Sequence, residues 1–470
     1  SRYFDMFRHY GGLPIVKNSY SGTDATYEEP RGTVEETVDF MVGLLDEAAS
    51  NLPWTVEEAW DGRFTKAAAE ALKCKILLFA ASPLFNSETP CAGSEADAAN
   101  ANHQAWYGDY KAERWQRCLT ACEKFFQDLG AEGYYKLVQA EGSNPTSGQY
   151  RAAFRAAYSK RGTTEMLMGT RVRYDGNGWT DNAFGGHNYL FVSEWNAYGG
   201  YTPTEEFMEM FDWKDGRPFN LDKVLQEDPD TMFVNPDKNF DLTRDPRLYE
   251  TMIVNGVQTT MNDNGNYSGR RYENWVEGTD GGKGAGTSES GQFATGFANN
   301  KFYFNGETNR VHVWPYVRLA EVYLIYAEAL AQNGQLDKAI NNVNIVRARV
   351  GLKGLKESDA SKNWGDKQTV LDAIMKERAV EFGFEETRFF DLIRYRRSDI
   401  FQKQLHGLRM YRQKDGKDYN FQWQGKKEKE DGYEPNYPTH YRYEKYEIQN
   451  VRRSWWSNWD NKWFLSAFPP

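Results

Sequence analysis

Apolar residues along this chain recur at three- and four-residue intervals in several stretches and lose that rhythm through one long interval between them. In RGTVEETVDFMVGLLDEAASNLP (31–53), Val34, Val38, Met41, Val42 and Leu45 fall on one helical face, and Pro53 stops the run. Thr33, with Glu36 three residues on, predicts a capping box. GRFTKAAAEALKCKILLFAASPLFN (62–86) predicts a second helix, whose many alanines let neighbours approach on more than one side. AERWQRCLTACEKFFQDLG (112–130) predicts a third, ending at Gly130. Ahead of all three, the opening SRYFDMFRHYGGLPIV ends a helical turn at Gly11, Gly12 and Pro14. Periodicity returns in YVRLAEVYLIYAEALAQNGQLDKAINNVNIVRARVGL (316–352). Leu319, Val322, Tyr323, Tyr326, Ala327 and Leu330 form one stripe, Gly334 turns the chain, and Leu336, Ala339, Ile340, Val343 and Val346 form the next. That is the pattern of one tetratricopeptide unit. A last helix is expected in VLDAIMKERAVEFGFEETRFFDLIRYRR (370–397).

From about 140 to 313 glycine, asparagine, aspartate, serine and aromatics dominate, and no helical period persists except near 204–212. Loops longer than about 15 residues are uncommon in compact domains and tend to carry function. Aromatics among the glycines favour an ordered, loop-rich face; only GTDGGKGAGTSESGQ (278–292) is expected to be mobile. The expected architecture is mainly α. Residues 1–139 form a first helical scaffold part, 140–313 a loop-rich ligand-binding insertion, 314–399 a tetratricopeptide-like scaffold part, and 400–470 an irregular aromatic-rich segment packed on the scaffold.

Composition narrows the function. The chain has 470 residues, 40% hydrophobic and 26% charged, with mean hydropathy -0.78 and 29 Tyr, 28 Phe and 15 Trp. That length allows a large core, and that chemistry suits a wet surface with aromatic platforms. A net charge of -10 argues against a nucleic-acid partner, because no basic stripe is available to displace counterions. No segment reaches the ~20 apolar residues of a membrane span. The longest apolar run, ILLFAASPLF (76–85), contains Pro83 and reads as the end of a buried helix. No signal-peptide pattern opens the chain. Cys74, Cys91, Cys118 and Cys122 form no CxxC and are expected to be free thiols.

Taken in order, YGGLPIV (10–16), the 31–53 and 62–86 helices, TPTEEFMEMFDWKDGRP (202–218) and DPRLYETMIVNG (245–256) resemble the SusD/RagB family. The resemblance continues through YVRLAEVYLIYAEAL (316–330), VNIVRARVGL (343–352), IMKERAVEFGFEETRFFDLIRYRR (374–397) and the closing WFLSAFPP, covering nearly the whole chain. It implies tetratricopeptide-like hairpins decorated by a loop-built ligand face. It also implies a lipid anchor at an N-terminal cysteine, the outer leaflet of an outer membrane, and a SusC-like TonB-dependent barrel partner beneath the ligand face. The family carries further helices and the lipidated cysteine before its YGG segment, whereas Ser1 lies almost at that segment here. Without those helices, one flank of the bundle is expected to be exposed.

Catalytic chemistries fit poorly. A glycoside hydrolase needs two carboxyl groups at a set separation, one with a raised pKa. Glu377, Glu381, Glu385, Glu386 and Asp391 crowd one segment, but Arg378, Arg388 and Arg394 interleave with them, so ion pairs along and between helices are expected. GTDGGK (278–283) is too short for a phosphate loop and lacks its Ser/Thr. No GxSxG elbow is present, and no cysteine has a neighbouring histidine. The six histidines are not spaced as a ligand set, so no resident metal is expected. A loop calcium in NDNGNYSGRRYE (262–273) would have to tolerate Tyr267 at the sharp-turn glycine position.

Non-covalent recognition remains. A sugar ring offers apolar faces and a rim of hydroxyls, so its site wants aromatic platforms beside Asn, Asp, Arg or Gln. Three neighbourhoods have that composition: Trp195, Asn196, Tyr198 and Tyr201 in SEWNAYGGYTP; Tyr267, Arg271, Tyr272, Asn274 and Trp275 in NYSGRRYENW; and Trp179 with Asp181 and Asn182. Trp314, Tyr316, Tyr323 and Tyr326 read as core, and Trp455, Trp456, Trp459 and Trp463 as packing the tail or facing the barrel. The expected function is capture of an oligosaccharide for delivery to the barrel. A peptide-binding subunit of the same architecture, or a structural lid on the barrel, stays open. The glycan reading requires an open concave surface near 179–201 or 267–275.

Overall fold

The computed structural model describes residues 1–23, 29–172, 202–262, 264–281, 294–302, 312–449 and 455–467. Three long helices, Val34–Asn51, Lys66–Ala81 and Ala112–Glu132, pack side by side, with Lys66–Ala81 in the middle. The Thr33 side chain accepts from the Glu36 backbone N–H while Glu36 reaches back to the Thr33 N–H, the expected capping box. At the middle helix the Thr65 side chain accepts from Ala68 N–H, a single cap without the reciprocal bond. Ala67, Ala68, Ala69, Ala71, Ala80 and Ala81 are all buried there, which is how one helix can carry neighbours on several sides. The third helix runs through Gly130 and stops at Gly133 (φ 69°).

The predicted hairpin is Leu319–Gln332 and Leu336–Ala348, turned at Gly334 (φ 77°). Its first helix lies against Lys66–Ala81 and Ala112–Glu132, and Phe126 packs on Tyr323 and Tyr326 at 4.8 and 5.0 Å. The helix begins at Leu319, later than the sequence suggests, because His312–Arg318 is a strand paired antiparallel with Met166–Val172. Gly169 permits that pairing: a Cβ there would lie 2.4 Å from Val313 Cγ1. The segment expected as a single helix at 370–397 is two, Lys367–Glu381 and Thr387–Arg394. It breaks where Phe384 and Glu386 take left-handed φ of 59° and 60°.

The interval 140–313 holds more regular structure than its composition shows. Ser147–Ser159 is a full helix, capped by a Thr146/Gln149 box. Its inward face carries Arg151 and Arg155 beside Phe154 and Tyr158, and charged residues on the buried side hide the apolar period. The C-terminal segment, expected to be irregular, instead forms an antiparallel sheet of three strands, His406–Lys414, Lys417–Asp418 and Tyr441–Glu447. Leu408, Met410, Tyr441 and Tyr443 from this sheet join Met208, Phe211, Phe233, Tyr249, Trp275 and Phe297 in a second hydrophobic core.

A buried ionic seam joins the insertion to the scaffold. Arg318 pairs with Glu165, Glu381 and Glu385; Arg349 with Glu165 and Glu381; and Arg247 with Asp245, Glu377 and Glu381. Lys301 meets Glu385, Arg347 meets Asp212 and Glu377, and Lys376 meets Asp212. Among the described residues six cations therefore face six carboxylates in one connected network. Buried charge without a counterpart is strongly unfavourable, and here the buried members of the seam each lie against oppositely charged partners.

Candidate functional site

Trp179, Trp195, Asn196, Tyr198 and Tyr201 lie outside the described residues, as do 282–293 of the glycine-rich stretch. The second neighbourhood is folded inward, which corrects the expectation of an exposed platform and of an open concave surface at 267–275; the other stretch named for such a surface, 179–201, lies outside the described residues. Trp275 is fully buried, donates Nε1–H to Phe421 O at 3.1 Å and packs on Tyr437 and Tyr441. Asn274 is buried too, its Nδ2 donating to Ile253 O and Gly296 O. Tyr272 is 4% exposed, and its carbonyl accepts from Tyr437 OH at 2.6 Å. Arg271 donates to Gly256 O at 2.8 Å and stacks over Phe240 at 4.0 Å, and burial lowers its pKa. Tyr267 is half-buried beneath the Arg151 guanidinium, 5.0 Å from its ring centroid. The chain bends inward because two short strands, Gln258–Met261 and Tyr267–Arg271, pair as a hairpin and lead Tyr272 into a small cluster with Ile253 and Ala298 and Trp275 into the second core. Asn262 Oδ1, the first oxygen of the calcium-like stretch, accepts from the N–H groups of Asn264 and Asn266 in that hairpin's turn.

An open hollow of about 850 Å³ lies where the first helix ends, bounded by Tyr10, Arg31, Ala96, Ala99, Trp463 and Ser466 among others. The YGG motif builds it. Arg2–Tyr10 stops at Gly11 (φ 76°), where a Cβ would sit 2.6 Å from Gln104 O. At Gly12 a Cβ would sit 2.1 Å from Gly32 O. Two bare backbones thus let three chain segments meet, and Gly12 N–H donates to Gln104 O at 2.7 Å. Arg31 fastens the junction, donating from Nε to Gly12 O at 2.8 Å and from Nη2 to Tyr10 O. The tail docks through Ser466 N–H to His9 O at 2.7 Å. Trp459 stacks on Phe401 at 4.1 Å, and Trp463 stands edge-on to Trp459 at 5.6 Å with 45% of its surface exposed. Trp456 and Trp459 pack the tail, as expected; Trp463 instead forms one wall of the hollow. Alanines make its floor, and Arg31, Glu95, Lys462 and Ser466 its polar margin. A molecule with one apolar face and a hydroxylated edge matches that lining. The YGG segment was the sequence signal for it, but proximity of residues 10–12 to 463–466 is not written in either segment.

Glu377, Glu381, Glu385 and Asp391 are held in ion pairs, predominantly between elements, while Glu386 is exposed. Burial pushes the Glu381 carboxyl up, but the fields of Arg349, Arg318 and Arg247 outweigh it and hold it well below the usual range. Glu385 and Asp391 are likewise held low by their arginines. Burial, with Asp128 beside it, raises Glu70 to about 7, yet this pair is closed between two helices by Lys66 and Lys124. Among the described residues, Glu205, Glu206 and His406 bring ligand-type atoms within 4.8 Å of one another. Lys445 already meets Glu205, and His406 meets Glu206 at 2.6 Å. Cys74, Cys118 and Cys122 are buried free thiols.

Helical hairpins bearing an ionically locked insertion, with an open hollow walled in part by Trp463, make up the architecture. The chain belongs to the SusD family, whose model matches residues 165–465; a second model, described as starch-binding associating with outer membrane, matches 1–78. It is 23% identical over 413 residues to a SusD-like protein, P38, of Formosa agariphila, covering 86% of this chain and 66% of that protein. The chain thus spans just under two thirds of that curated relative's length. Its fold is similar to a SusD-like protein of Bacteroides fragilis (24% identity, TM-score 0.64, 99% of this chain and 74% of that one). It is also similar to a SusD-like carbohydrate-binding protein of the same species (19% identity, TM-score 0.55, 86% and 67%).

Proposed function

We propose that this chain is a non-catalytic, surface-exposed binding protein that captures oligosaccharide and delivers it to a SusC-like TonB-dependent barrel in the outer membrane, to which an N-terminal lipid anchor tethers it. Support comes from family membership together with one observation, the open hollow in which half-exposed Trp463 stands over an alanine floor with a charged margin. A sugar ring laid on Trp463 would turn its hydroxyls toward Glu95, Arg31 and Lys462. Trp179 and Trp195, read from the sequence, are proposed as further platforms.

Calorimetry against maltooligosaccharides and a panel of plant, mucin and microbial glycans tests this. Trp463→Ala is expected to weaken binding about tenfold, the loss of one stacked ring at about 1–1.5 kcal/mol. Unchanged affinity would remove the hollow from the site. Silence of the unaltered protein across the panel, with peptides co-purifying, would replace the glycan reading by the peptide one.

A further inference from the structure

A second hollow, of about 490 Å³, opens beyond the end of the third long helix, remote in sequence from the YGG junction. Its most conspicuous member is Tyr134, 56% exposed and held at φ 67° directly after Gly133 at φ 69°. A tyrosine gains nothing locally from a left-handed backbone, and such strain persists only where surrounding contacts impose it. Here they do. Trp54 donates Nε1–H to Gly133 O at 2.9 Å, Tyr135 packs edge-on against Trp54 at 5.8 Å, and Tyr134 stands perpendicular to Tyr135 at 5.0 Å. The facing wall is pinned to the same backbone, with Lys136 N–H donating to Thr164 O and Thr164 Oγ1–H to Lys136 O, both at 3.0 Å. Between the walls lie the Asp61–Arg161 ion pair, Glu58, and Thr163, whose Oγ1 is buried without a hydrogen-bond partner among the described residues.

We propose that this hollow is a second carbohydrate-contact site, taking one or two hexose units of the same glycan; it rests on the glycan-binding reading above. The fixed, exposed Tyr134 ring supplies a face for the apolar side of a sugar. The Asp61 carboxylate and the Arg161 guanidinium supply acceptors and donors for its rim. The 18-residue helix Val34–Asn51 runs from the Arg31 side of the first hollow to the Thr55 side of this one, about 27 Å, so only a glycan long enough to span that distance gains from both contacts.

The test is hydroxyl-radical footprinting of Tyr134, with and without whichever glycan of the panel binds, in the unaltered protein and in Trp463→Ala. Modification of Tyr134 is expected to fall at least threefold in both. Tyr134→Gly is the paired variant, since glycine relieves the left-handed strain while deleting the ring. It is expected to keep or raise Tm yet lower affinity for the long-chain glycan three- to tenfold, with Tyr134→Phe retaining it. If the unaltered protein binds glycan while Tyr134 stays unprotected and Tyr134→Gly binds normally, the second site is refuted and the general reading stands. If Tyr134 is protected and Trp463 is not, the second site holds and the YGG hollow is the one that fails. If no glycan binds at all, both fall together.

Discussion

Replacing Glu381 by Gln tests whether the buried seam holds the insertion on the scaffold. Glu381 is fully buried and meets Arg318 at 2.6 Å, Arg247 at 2.8 Å and Arg349 as well. Glutamine keeps the shape but removes the one negative charge those three guanidiniums share. It also turns amide hydrogens toward cations. Breaking a buried ion pair costs about 3–5 kcal/mol, most of it the penalty for charge left without a counterpart. Unfolding entropy of about 2.1 cal/mol/K per residue gives roughly 1 kcal/mol/K for a chain of this length, so Tm should fall by about 3–5 °C. Amide exchange locates the effect: Met166–Val172 and Pro246–Thr251, which carry or flank the Glu165, Asp245 and Arg247 side of the network, should lose protection before the Val34–Asn51 helix does. The seam also sets an acid limit. A carboxylate whose folded pKa lies below its unfolded value of 4.5 contributes stability that is complete above that value and lost as pH falls through the folded one. The Glu381→Gln variant should therefore lose less stability below about pH 4 than its parent. A Tm change under about 1 °C with unaltered exchange would show that the network contributes nothing to the junction.

Glu70 carries the opposite sign. Burial and the neighbouring Asp128 raise it from 4.5 to about 7, so the folded state favours its neutral form and stability falls as pH rises from about 4.5 to about 7. The shift corresponds to about 3 kcal/mol, which nearby water and the partly exposed Lys66 reduce to about 1–2 kcal/mol. Glu70→Gln should raise Tm at pH 8 and leave it unchanged at pH 4.5, as thermal melts at the two pH values would read; equal effects at both would refute it. Gly12→Ala places a Cβ 2.1 Å from Gly32 O, a backbone atom that cannot turn aside. It should cost about 1–3 kcal/mol in denaturant melts and weaken glycan binding by spreading the YGG hollow, whereas unaffected binding would separate that junction from the site.

How much of this was legible follows from where the energy lies. The start of Val34–Asn51 could be read to the residue because its cap is local, and the Gly334 hairpin because its two apolar faces lie within one segment. Ser147–Ser159 escaped because two arginines, Arg151 and Arg155, sit on its inward face. Those guanidiniums are buried only because Glu250, some 95 residues on, accepts from both Arg151 and Arg155. The C-terminal sheet escaped similarly, since fully buried Arg412 interrupts the alternation of Leu408 and Met410. Composition also misplaced Trp275 and Tyr272. An aromatic beside Asn and Arg describes a sugar platform and a hydrogen-bonded core equally well, and only the hairpin ahead of them decides which way they face. Among the described residues, two exposed rings are held in place from behind. Trp463 stands edge-on to a stacked Trp459, and Tyr134 is thrust out by a left-handed turn that Trp54 and Tyr135 hold from behind. A ring that the fold spends contacts to keep in water is a stronger pointer to recognition than a run of aromatic letters.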